Sequence, residues 1–162
     1  GLLGVQIKAL AILKTSMLNG CKYCIGHNTQ LGRAVGFSDE QIQALEGDYQ
    51  NSDLFAPDEI AAIAWAECLT LRTYREKPEV MAELKKHFNN EQVVEITMVS
   101  GFFNFWNRFT DGLQVDIEAK EQVGLIKNSK KIELNDYLTY MQNAWWNDNP
   151  KTSKRPPEAA KS

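Results

Sequence analysis

Apolar residues recur along much of the chain at the three- and four-residue spacing of helices. Leu10, Leu13, Met17 and Leu18 form one such stripe, which Asn19-Gly20 stops. A second helix is predicted from Gly20-Cys21 to about Val35, with Gly36 placed as its C-terminal cap. Ser38-Asp39-Glu40-Gln41 opens a short third helix ending near Gly47; Ser38 caps it and Gln41 completes a capping box. Residues 48–56 are polar and turn-like. Pro57-Asp58-Glu59 then opens a strong helix, because proline is tolerated in the first turn and carboxylates favour its positive end. Ile60, Ile63, Ala64, Leu69 and Leu71 carry that helix to about Thr73, and Pro78-Glu79 begins the next, through His87.

Asn89-Asn90-Glu91 introduces a long apolar stretch over 93–109 that contains Val94, Ile96, Met98, Phe102, Phe103, Phe105 and Trp106. Apolar residues nearly all round a helix predict burial on several sides, in the core or against another subunit. Its β-branched and aromatic content leaves a local strand open, but length argues for helix. After Gly112 the pattern weakens, and two further helices are predicted over 117–126 and 134–146. From Asp148 onward Pro150, Pro156 and Pro157 predict a tail that is disordered or docked on a neighbour. The expected fold is an all-α, single-domain helical bundle: a core over 1–118, a helical extension over 119–147 and a flexible tail over 148–162.

At 162 residues the chain suits one compact domain that buries roughly two-thirds of its unfolded surface. A formal charge of −3 lacks the dense basic face of nucleic-acid binders. No apolar run approaches the roughly 20 residues of a membrane span. Three cysteines are too few, and odd in number, for a disulfide-stapled secreted scaffold, so a reducing, cytoplasmic setting is expected. The chain opens at Gly1, not Met, directly in an apolar helical pattern, and natural N-terminal residues are expected to be missing.

The chemistry concentrates in Cys21-Lys22-Tyr23-Cys24-Ile25-Gly26-His27-Asn28. At a helix start, Cys21 and Cys24 lie one turn apart on the same face, close enough for a disulfide. The positive helix end favours thiolate over thiol, and Lys22 adds cationic character. His27 lies one turn beyond Cys24, where an imidazole can exchange a proton with that sulfur. A nucleophilic sulfur, a resolving sulfur and a proton carrier are the parts of a dithiol redox centre. Three other readings compete. The cysteines can be inert and buried. Structural zinc needs about four ligands, here Cys21, Cys24, His27 and a distant Cys68 or His87, and the second cysteine pair such sites often use is missing. Attachment of c-type haem needs His directly after the second Cys, where Ile25 stands.

Leu18-Asn19-Gly20-Cys21-Lys22-Tyr23-Cys24, the following His and Arg33-Ala34-Val35-Gly36 resemble the core of the carboxymuconolactone decarboxylase family, in particular its alkylhydroperoxidase AhpD-like branch. Ala64-Trp65-Ala66-Glu67-Cys68-Leu69-Thr70 and Val94-Glu95-Ile96-Thr97, leading to Asn104-Phe105-Trp106-Asn107-Arg108, extend the resemblance over about residues 5–118. It implies an AhpD-like helical fold that assembles into homo-trimers or hexamers, with no metal and no cofactor. It also implies a thiol-dependent peroxidase. In that branch the second cysteine attacks the peroxide, the first condenses with the resulting sulfenic acid, and an external dithiol, lipoyl- or thioredoxin-like, resets the pair. Cys24 is then peroxidatic and Cys21 resolving, with His27 the proton carrier; helix-dipole reasoning alone would favour Cys21 as the nucleophile.

Two positions depart from the pattern. The relay Glu twelve residues before the first Cys is Ala9, and the relay His four residues after the second is Asn28. Neither passes a proton as Glu or His does. Glu67 and Glu95, in long helices among apolar neighbours, are read as structural carboxylates (capping, a pair with Arg108 or a subunit salt bridge) ahead of a catalytic role. Cys68 is read as a core filler, His87 as a surface residue favoured by the helix dipole, and Tyr23 as a packing residue or a donor to sulfur. The Phe102-Phe103-Phe105-Trp106 cluster is read as core or interface rather than a cofactor box. Beside the peroxidase stand a redox sensor or interaction protein, favoured by Ala9 and Asn28, and a cofactor-free decarboxylase, which does not depend on a redox Cys-x-x-Cys.

Overall fold

The structure, a computed structural model, describes residues 1–117; the extension and tail expected over 119–147 and 148–162 lie outside the described residues. Six α-helices and one turn of 3₁₀ helix account for the regular structure among them. The helices are α1 (Val5–Asn19), α2 (Lys22–Ala34), α3 (Asp39–Glu46), α4 (Pro57–Leu71), α5 (Pro78–His87) and α6 (Asn90–Gly112). No strand occurs there, and the stretch where one remained open is the middle of α6.

The helix ends follow their residues. Ser38 and Gln41 form the reciprocal capping box predicted for α3. Asn89 and Gln92 make the same arrangement at α6, and Pro57 lies in the first turn of α4. Gly20 ends α1 in the left-handed conformation (φ 68°), which costs glycine nothing, with its N–H on the Met17 carbonyl at 3.1 Å. That tight reversal sets Cys21 at the start of α2.

Helix α1 is the axis of the bundle. Ala9, Leu10, Ala11, Leu13, Lys14, Thr15 and Ser16 are all buried, because α2, α4 and α6 cover it on different sides. Ala11 joins a core with Ala62, Trp65, Leu84 and Ile96, whereas Leu10 and Leu13 join a second with Phe37, Leu45, Phe55 and Ile63. Small residues such as Ala9, Ala11, Ala61, Ala62 and Ala66 fit α1 and α4 close together, since interaxial distance depends on the side chains between. The segment over 48–56, expected to be a polar turn, supplies Tyr49 and Phe55 to the second core.

Lys14 is buried and fully engaged. Its ammonium lies 3.1 Å from the Glu67 carboxylate, donates to the Leu45 carbonyl at 2.9 Å and sits 4.6 Å from the centre of the Tyr49 ring. Burial pushes the Tyr49 phenol up to about 12, and the nearby Glu67 charge pushes the same way. Glu67 thus has a structural partner, Lys14 rather than Arg108. Glu95 also has one: its carboxylate accepts the Leu2 and Leu3 N–H groups at 2.6 and 3.1 Å and pairs with Lys8 at 3.3 Å. Arg108 instead donates to the carbonyl and side-chain oxygens of Asn104.

After α6 the chain turns back. Gln114 takes the left-handed conformation (φ 53°), the Val115 N–H bonds the Thr110 carbonyl, and the Gln114 N–H bonds the Asp111 carbonyl. This is the paired closure of a Schellman motif, formed without its usual glycine. It returns the chain to α2, where Ile117 fills the space that a Cβ at Gly26 would need.

Candidate redox site

Cys21 is the N-cap of α2, extended at φ −72° and ψ 101°, and Cys24 lies in the first turn. Their Cα atoms are 5.3 Å apart and the two sulfurs are joined as a disulfide. The Cys21 sulfur also accepts the Cys24 N–H at 3.2 Å, so a side chain that usually serves as an oxygen cap is here a sulfur. One amide and the α2 dipole therefore favour negative charge on Cys21 when the pair opens. Both residues are buried, Cys21 at 0% and Cys24 at 2% exposure. Cys21 borders a cavity of about 410 Å³ with Lys22, Tyr23, Asp111, Asp116 and Ile117.

A residue without a motif completes the site. The Thr110 hydroxyl, from α6, lies 3.2 Å from the Cys21 sulfur and 3.1 Å from the Cys24 sulfur. It is also 3.0 Å from the Trp106 carbonyl and 3.2 Å from the Asn107 carbonyl. No spacing rule points to a threonine more than eighty residues away in the chain; the burial of a polar residue on α6 is the one signal, and it needs the fold.

His27 lays its ring against Tyr23, with centroids 4.4 Å apart. Neither sulfur has a hydrogen bond to His27 among the described residues; the three contacts described above come from Thr110, to both sulfurs, and from the Cys24 N–H, to Cys21. Tyr23 borders the cavity and so links His27 to its wall. The residues at the two relay positions are buried. Ala9 packs in the second core, and Asn28 donates its amide to the Ser16 hydroxyl at 2.9 Å. Ser16 also accepts the Asn107 amide at 3.0 Å and donates to the Ile12 carbonyl at 2.9 Å. The polar chain continues from Asn107 through Asn19 to Asn104, which donates to Thr70 at 3.0 Å. It ends beside a wider cavity of about 820 Å³ bordered by Thr70, Arg72, Asn104 and Arg108, which contains no cysteine.

Cys68 is buried in the first core, and His87 is exposed with its Nε2 3.3 Å from Glu83. Their hydrogen-bond partners are Thr73 for Cys68 and Glu83 for His87, and among the described residues no three His, Cys, Asp or Glu side chains are placed to hold a metal. No helix among them is long and apolar enough to cross a membrane.

The family model described as the carboxymuconolactone decarboxylase family matches residues 1–68, the stretch that carries the cysteine pair. Over that stretch the chain is similar to this family. Its fold agrees with the AhpD-like branch. A protein of unknown function from Agrobacterium tumefaciens, described in terms of the antioxidant defence protein AhpD, is 26% identical with a TM-score of 0.68, covering 73% of this chain and 81% of that one. The debrominase Bmp8 shares the fold at 23% identity and a TM-score of 0.65, over 77% of this chain and 67% of its own. The uncharacterised protein YdfG of Bacillus subtilis (strain 168) is 29% identical over 104 residues, 64% of this chain and 70% of that protein. A protein described in AhpD terms and a debrominase thus share this helical frame.

Proposed function

We propose that this protein reduces hydrogen peroxide or organic hydroperoxides by cycling Cys21 and Cys24 between dithiol and disulfide, as its similarity to the carboxymuconolactone decarboxylase family over residues 1–68 suggests. The observation that carries the reading is the joined sulfur pair at the N-cap of α2, with the Cys24 N–H on the Cys21 sulfur and the Thr110 hydroxyl within reach of both sulfurs. The Cys24 thiolate attacks the peroxide oxygen and becomes a sulfenic acid. The O–O bond breaks and the alcohol or water leaves with a proton, for which His27 is the proposed carrier. The Cys21 thiolate then attacks the Cys24 sulfur, the sulfenic oxygen leaves as water, and the disulfide forms. An external dithiol, lipoyl- or thioredoxin-like, returns both electrons. Attack of that dithiol on Cys24 expels Cys21, and a low-pKa thiol leaves faster. The N-cap position that favours Cys21 as thiolate therefore suits it as resolving and leaving group, with Cys24 as the peroxidatic sulfur.

Assembly into a homo-oligomer, trimer or hexamer, belongs to the same proposal and is supported by the exposed stripe of Val94, Met98, Phe102, Phe105 and Phe109 on α6. The burial of both sulfurs favours a second reading, in which opening the disulfide changes assembly or a partner surface and peroxide turnover is incidental.

Peroxide consumption with a dithiol donor, measured for the wild type, Cys24→Ser and Cys21→Ser, separates them. The peroxidase predicts loss of turnover in both variants, and a dimedone-reactive sulfenic acid on Cys24 in Cys21→Ser. Unchanged consumption in both variants removes it. A change in particle mass on adding reductant, with no turnover in the wild type, selects the second reading.

A further inference from the structure

The geometry points to Thr110 as a donor that moves from backbone to sulfur when the disulfide opens and stabilises whichever cysteine is then ionised. This inference rests on the dithiol cycle proposed above. The Thr110 oxygen lies within 3.2 Å of both sulfurs and of two carbonyls, those of Trp106 and Asn107, but it has a single proton to give. In the disulfide both sulfurs are neutral and weak acceptors, so the proton belongs on a carbonyl. A thiolate is a far stronger acceptor, and a hydrogen bond to an ionised group outweighs one to a neutral group. Rotation about the C–O bond redirects the proton without moving the oxygen.

The near-equal distances to the two sulfurs matter for the order of events. The charge that starts on Cys24 for attack must next appear on Cys21 for resolution. A donor 3.1 Å from one sulfur and 3.2 Å from the other serves both steps from a single position. No bond other than the hydrogen bond changes, and Thr110 gives up no proton and no electron. Its burial, at 3% exposure, keeps water from taking over the task. The charged and titratable groups around the pair act from further out: Lys22, Tyr23 and His27 on α2, and Asp111 and Asp116 at the end of α6 and just beyond it. The two carboxylates oppose a thiolate, which leaves more of its stabilisation to the donors inside the site.

The test follows thiol ionisation in the reduced, full-length protein, by thiolate absorbance against pH and by the rate of iodoacetamide alkylation at neutral pH. Thr110→Val keeps the shape and removes the donor; Thr110→Ser keeps the donor. Loss of one hydrogen bond to a charged sulfur is expected to raise the lower thiol pKa by about one to two units. Where the thiol then lies mostly protonated, alkylation at neutral pH slows by about tenfold or more. Thr110→Ser should stay within about threefold of wild type on the same hydrogen-bond argument. Thr110→Ala gives the same readout should the valine variant fold poorly. Wild-type titration in both donor-less variants overturns the inference. If the titration shifts but the wild type consumes no peroxide, the peroxidase reading fails and the role of Thr110 stands; peroxide turnover with an unshifted titration is the reverse.

Discussion

Along the inner face of α6, Ser100, Asn107 and Thr110 are buried and hydrogen-bonded; along its outer face Met98 is 69% and Phe105 59% exposed, with Phe102 and Phe109 beside them. A bundle helix usually turns its apolar side inward. Here Val93 and Ile96 do so near the start of the helix, and polar residues replace them further on. The difference shows what each face is for. The inner face must reach Ser16 and the cysteine pair, where hydrogen-bonding groups are required and apolar ones would leave amides and a hydroxyl unsatisfied. The outer face has rings at 102, 105, 106 and 109 stacked or tilted against one another, an exposed apolar stripe of the kind the proposed assembly would cover.

The largest effect should come from breaking the inner face. Asn107→Ala takes one hydrogen bond each from Ser16 and Asn19 and leaves a cavity at a fully buried site, and should cost about 3 kcal/mol in chemical denaturation. A loss below about 1 kcal/mol would mean that this face is held by packing alone. The outer face should behave in the opposite way. Phe102→Ser with Phe105→Ser is expected to leave subunit stability within about 1 kcal/mol while lowering the particle mass in sedimentation; an unchanged mass argues that the stripe does not mediate assembly.

A smaller effect should appear near the start of the helix. Burial works to raise the Glu95 pKa, but the Leu2 amide, the Lys8 ammonium and the Leu3 amide outweigh it and hold the carboxyl below its usual value. A depressed pKa contributes stability that is complete above the unfolded-state value and fades as pH falls through the folded-state value. Protection of the Leu2 and Leu3 amides, taken relative to their intrinsic exchange rates, should therefore fall as the medium is acidified through that range, and Glu95→Gln should remove most of that pH dependence of protection. The smallest effect sits at the far end. Gln114→Gly relieves a left-handed residue and should stabilise the described core by about 0.5 kcal/mol in thermal unfolding, glycine's added chain entropy offsetting part of the gain.

The helices were legible because their caps are local: Ser38 with Gln41, Pro57, and Gly20 each act within a few residues. The cysteine pair was legible for the same reason, since both sulfurs belong to one helical turn. Thr110 was not, because its only partners in sulfur chemistry come from the other end of the described chain. The apolar pattern of α6 marked a helix correctly but left core and subunit interface open, because counting apolar residues cannot distinguish a face that fills the core from one that is left outside it. The segment over 48–56 failed in the converse way, with Tyr49 and Phe55 too few to register as a pattern and yet both in the core.

The Ser16 oxygen gives its one proton to a carbonyl and takes one from each of two amides, which exhausts its capacity. A saturated hydroxyl cannot hand a proton onward without breaking what it already holds. The buried polar chain behind the cysteines is thus an insulator rather than a wire. In the proposed dithiol cycle this leaves the cavity bordered by Tyr23 and Lys22 as the side from which protons reach the sulfurs.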